Sequence, residues 1–115
     1  MNENRHTGED ISQDDLFEMS NLSPAATGLA YRIWIRVNVH QRPWRPRMYV
    51  EEPKRTFYPL SIDDPVEFLG DQPPGMSPAQ FRDLQSFVGL NREALLAHWN
   101  DQIDTKDAFD RIRPI

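Results

Sequence analysis

The chain has no cysteine among its 115 residues. Disulfides and thiolate zinc sites are therefore excluded, and the absence fits a reducing compartment. No apolar run approaches the length of a membrane span, and the N-terminus lacks the apolar core of a signal peptide, so a cytoplasmic protein with no membrane partner is expected. No nucleophile elbow, phosphate-cradling glycine loop or zinc signature occurs, and nothing in the sequence calls for a cofactor. Internal repeats and extended low-complexity runs are also missing. Residues 29–50 contain no acidic side chain at all.

What is present supports one modest core. Hydrophobic residues make up 38% of the chain and aromatics 10%, a composition and length that fit a single domain. Ten prolines and a mean hydropathy of −0.70 predict much irregular chain around that core. The net charge of −5 conceals an asymmetry. Residues 1–28 carry a net −5, residues 29–50 carry +5 from Arg32, Arg36, Arg42, Arg45 and Arg47, and residues 51–115 return to −5. A basic band between acidic stretches favours association with anions or with the chain's own acids.

Residues 1–22 are polar and acidic and have little to bury, which predicts a flexible tail ahead of a single α+β domain over 23–115. Within the tail, Leu16, Phe17 and Met19 form a short apolar hook that either docks on the body or recognises something else. Ser23-Pro24 and Thr27-Gly28 read as breakers before the first strand. From Leu29 the chain alternates strictly: Leu29, Tyr31, Ile33, Ile35 and Val37 share one face, and Arg32, Trp34, Arg36 and Asn38 the other, the period of a half-buried strand. An eight-residue loop, Val39–Pro46, leads to a second strand over Arg47–Val50. Thr56–Ile62 is a third, placed at a sheet edge or bulge because Pro59 cannot donate to a ladder. Val66–Leu69 is a short extended segment. Ser77-Pro78-Ala79-Gln80 is a helix start with a capping box. Phe81, Leu84 and Val88 then mark an apolar stripe with Phe87 at its border, Gly89 supplies a stop or kink, and Asn91 caps a second helix carrying Leu95, Trp99 and Ile103, its stripe widened by Leu96. A last short turn starts at Thr105 and is expected to pin Phe109 and Ile112. The fold class expected is α+β: a small antiparallel sheet of three to four strands, followed by two to three helices packed on one face.

Ile33-Trp34-Ile35, the loop around His40, Arg47–Val50 and the Asn91–Trp99 stretch (NREALLAHW) together resemble small bacterial proteins of a domain-of-unknown-function type found in toxin–antitoxin-like gene pairs. Thr27-Gly28-Leu29 also looks similar. In that group the loop holds several histidines, whereas the loop here holds only His40. The resemblance implies a fold of this kind and a toxin–antitoxin-like setting. It does not assign an activity.

The candidate binding residues are Arg32, Trp34, Arg36, His40, Arg42, Trp44, Arg45 and Arg47. Arginine alternating with an aromatic on a strand face can grip phosphates and stack a base. The same alternation is also what a half-solvated sheet face looks like, its arginine stems covering the surface while their heads pair with Glu51, Glu52 or the tail. His40 has the chemistry of a general base or metal ligand, but it stands alone in a loop, and neither His6 nor His98 has a ligand-like spacing to it. Asp63, Asp64, Glu67 and Asp71 read as turn-forming acids rather than a calcium loop. Three functions stay open: a non-enzymatic module that binds a protein partner or itself, a nucleic-acid-binding module using the arginine–tryptophan face, and a toxin-like ribonuclease centred on His40.

Overall fold

The structure, a computed structural model, describes residues 11, 13–52 and 55–115. Its elements run α1 (Gln13–Phe17), β1 (Met19–Leu22), α2 (Pro24–Thr27), β2 (Arg32–Arg36), β3 (Arg47–Glu52), β4 (Thr56–Ser61), α3 (Pro78–Trp99) and α4 (Thr105–Arg111). The four strands form an antiparallel meander in sequence order, and α3 crosses one face of it. This is the α+β arrangement that the strand and helix signals imply.

Alternation sorts the side chains onto two faces. On one, Ile33, Ile35, Met48, Val50, Tyr58 and Leu60 meet Leu84, Phe87, Val88, Leu95 and Trp99 of α3 in the main core. Pro59 sits opposite Tyr49 in the outer strand β4, as a residue without an N–H requires. Phe68 bridges to Leu60, so the segment expected to be extended lies along that edge.

Three expectations change. The tail does not run to residue 22. Met19–Leu22 is strand β1, paired with β2 from Met19↔Arg36 to Leu22↔Ile33, and Met19 and Leu22 are buried. The signal was obscured because only two of its four residues are apolar. The hook before it divides: Leu16 packs inward with Met19, whereas Phe17 is 80% exposed. Residues 1–10 and 12, the rest of the expected tail, lie outside the described residues.

The helix does not break at Gly89. One 22-residue helix spans Pro78–Trp99, opened by the expected box in which Ser77 and Gln80 cap each other. Glycine inside a helix costs only about 1 kcal/mol, and the buried residues on either side outweigh that. Asn91 is not a cap. It is buried, its amide donates to the Phe87 and Arg113 carbonyls at 3.0 and 2.8 Å, and its oxygen accepts from the Arg113 N–H at 2.7 Å. A polar residue inside the apolar stripe thus clamps the C-terminal segment against α3.

Finally, Ser23-Pro24 and Thr27-Gly28 do more than break the chain. They start and stop the single turn α2, with Ser23 as N-cap and Gly28 left-handed at the end. A Cβ on Gly28 would stand 2.8 Å from the Ile115 carbonyl oxygen, so this position requires glycine twice over.

His98, near the end of α3, is buried, with Nε2 3.0 Å from the Thr105 hydroxyl. Burial pushes its imidazole pKa below the usual 6.5, only partly opposed by Asp101 and Asp104. The folded chain therefore holds His98 neutral where the unfolded chain takes up a proton. Above pH 7 this costs nothing, and as pH falls through 6.5 the unfolded state gains. The expected result is a steeper loss of unfolding free energy between pH 7.5 and 5.5 in the native chain than in His98→Gln. Parallel curves for the two proteins would contradict it.

Candidate binding surface

The eight candidate residues do not form one surface. Arg36 is only 5% exposed and lies 3.2 Å from Glu18 and 3.6 Å from Asp15. Its charge is spent holding α1 and β1 onto the sheet. Trp34 is half-buried beside Met19, Tyr49 and Phe57. Its indole N–H donates to Glu51 at 2.6 Å, and its ring meets Phe57 edge-on at 5.8 Å. It belongs to a second, smaller core on the face away from α3. Arg32 is exposed and donates to the Asn21 side chain.

Arg45 is also spent internally. It pairs with Asp63 at 2.7 Å, with Glu67, and with the Pro65 carbonyl. Two of the acids read from sequence as turn formers therefore hold this arginine. The hydrogen bonds to Glu67 and Asp63 raise its pKa still further.

Three of the four remaining candidates, Arg42, Trp44 and Arg47, do come together. The Arg42 and Arg47 guanidinium carbons lie 4.6 and 4.7 Å from the centroid of the Trp44 ring. Trp44 is half-buried against the main core, whereas Arg42 is exposed. His40 is exposed nearby in sequence, and among the described residues nothing hydrogen-bonds to its ring. Nor do three His, Cys, Asp or Glu side chains gather among the described residues as a metal site would require.

The loop holds its shape through Asn38, whose place at the end of the alternating run does not by itself reveal this role. Its side chain donates to the Arg42 carbonyl at 2.9 Å and accepts from the Arg42 N–H at 3.1 Å. Its own N–H donates to the Trp99 carbonyl at 2.9 Å, which ties the loop to the C-terminus of α3. Asparagine is a turn former of this kind, and that was the available signal. Between loop and helix end lies a cleft of about 330 Å³ lined by Val39, Gln41, Arg42, Trp99, Asn100 and Asp101. Gln41 and Asp101, one on each wall, have φ of 49° and 59°. Such left-handed positions are uncommon away from glycine and concentrate at functional sites.

No model of a protein family, no curated protein and no solved structure matches the chain.

Proposed function

We propose that the chain is a non-enzymatic binding module that engages a protein partner through the loop between β2 and β3. The observation that carries this reading is the Arg42–Trp44–Arg47 stack on a loop locked by Asn38. Tryptophan and arginine are the residues most often found as binding hot spots. Stacking on an indole restrains a long arginine before the partner arrives, so less freedom is lost on binding. The nucleic-acid reading loses support because Arg36 and Arg45 are neutralised by carboxylates of the same chain and Trp34 is packed edge-on. The ribonuclease reading has less support, because among the described residues no hydrogen bond or ion pair joins the His40 ring to a second catalytic group. The resemblance described under the sequence makes the product of an adjacent gene, as in a toxin–antitoxin-like pair, the partner to test first.

The test is co-expression with that product and measurement of affinity. Arg42→Ala should weaken the complex about tenfold or more. The same variant should move the free chain's stability by no more than about 0.5 kcal/mol, since its side chain is exposed and its loop bonds are made by backbone. An unchanged affinity would remove the loop from the interface. Salt-sensitive binding of single-stranded RNA that Arg42→Ala abolishes would replace the protein partner with nucleic acid.

A further inference from the structure

The two edges of the sheet are treated differently. On the outer side of β4, Pro59 presents no N–H, the Leu69 N–H donates to the Pro59 carbonyl at 2.9 Å, and the Ser61 N–H donates to the Glu67 carbonyl at 2.9 Å. Proline and a covering segment are two of the usual guards of a sheet edge. Among the described residues, the outer edge of β1 has neither. Its sequence, Met-Ser-Asn-Leu, contains no charge and no proline.

The register fixes which backbone groups of β1 face out. Pro59 turns its carbonyl away from β3, so Tyr49↔Pro59 is a pair whose backbone groups point apart. Antiparallel ladders alternate, so Tyr49 bonds to Trp34, and Trp34↔Asn21 is again a pair pointing apart. Met19 and Asn21 therefore direct their N–H and C=O groups outward, while Ser20 and Leu22 bond to β2. Among the described residues, none of these outward groups has a backbone partner.

We propose that β1 is the seam of a homodimer, in which a second copy of this chain pairs its own β1 antiparallel across a two-fold axis through Ser20. Met19 of each chain then stands opposite Asn21 of the other, and all the outward groups bond reciprocally. The meander becomes one continuous sheet through both copies.

Two features select a second copy as the occupant. Phe17, 80% exposed and two residues ahead of Met19, passes the Ser23 end of the copy's β1, beside the exposed Ala25 and Ala26 of α2. A large apolar ring thus meets a small apolar seat, once from each side. Arg32 is exposed and held by Asn21 rather than by a carboxylate, and across this seam it lies towards the turn of the copy that carries Asp15 and Glu18, two carboxylates that both meet the single Arg36 of their own chain. The interface is self-complementary in shape and sign, as a two-fold contact must be.

Sedimentation equilibrium of the full chain tests this. The mean mass should rise with concentration from 13.5 kDa towards twice that value. Asn21→Pro removes one outward N–H per copy and no bond to β2, and should raise the dissociation constant about tenfold or more. Asn21→Ala, which keeps the N–H, should still dimerise, as should Arg42→Ala, whose defect belongs to the partner-binding loop. Amide exchange in the unaltered chain gives a second reading should Asn21→Pro fail to fold. The Met19 and Asn21 amides should slow with concentration, while those of Ser20 and Leu22 stay protected throughout. A monomer at about 1 mM, in the range of very weak association, would overturn the seam. So would Met19 and Asn21 exchange independent of concentration, or undiminished dimerisation of a folded Asn21→Pro.

Discussion

A chain shortened to begin at Ser23 is expected to lose about 3–5 kcal/mol of stability, although composition marks the removed segment as a dispensable tail. The deletion takes away β1 and with it the buried side chains of Met19 and Leu22. Burying a side chain of that size contributes about 1.5–3 kcal/mol. It also uncovers Tyr49 and Phe57, which Met19 and Leu16 help to enclose, and strips Arg36 of both its carboxylates. The freed chain recovers conformational entropy, which offsets part of this gross loss. What remains is a large share of the roughly 5–15 kcal/mol that holds a typical domain together. Urea unfolding of the shortened and full chains measures the difference. Coincident midpoints would show that the second core stands without its cover.

The parts of the fold legible in the sequence were those with a strong period or a local chemical signature. The alternation around Ile33 and Ile35 gave β2 its faces, Pro59 gave β4 its edge position, and Ser77–Gln80 gave α3 its start. The readings that shifted depended on distant partners. Asn91 has the same local pattern whether it caps a helix or grips Arg113, and only the return of residues 112–115 decides. Met19–Leu22 is too short to show a period and becomes a strand because β2 lies beside it. The site followed the same rule. A charge map locates the arginine band but not the acids that answer it: Arg36 meets Glu18, and Arg45 meets Asp63, each 18 positions away in the chain. Trp44 with Arg42 and Arg47 was visible as composition, whereas the lock through Asn38 was not, because it joins a loop to the end of a helix.

Trp99→Ala is expected to cost about 3–5 kcal/mol, the range for truncating a large buried aromatic. Trp99 is almost fully buried in the main core, at the end of the stripe that runs through Leu84, Val88 and Leu95. Neighbours relax only partly into such a space, so the loss includes a cavity as well as the removed apolar surface. The position has a second duty that the substitution leaves chemically intact. It is the backbone carbonyl of Trp99, not the indole, that accepts from the Asn38 N–H and ties the binding loop to α3. Stability and binding should therefore separate. In denaturant the midpoint of Trp99→Ala should fall sharply. Under conditions where the variant remains folded, its affinity for a partner held by Arg42 and Trp44 should change by no more than a few-fold, the scale of about 0.5 kcal/mol expected away from direct contacts. Trp99→Phe, which keeps much of the ring volume, should recover a large part of the stability. A midpoint unmoved by Trp99→Ala would mean that the indole does not hold α3 to the sheet. A folded variant with its binding abolished would instead show that the indole itself shapes the cleft beside Val39 and Arg42.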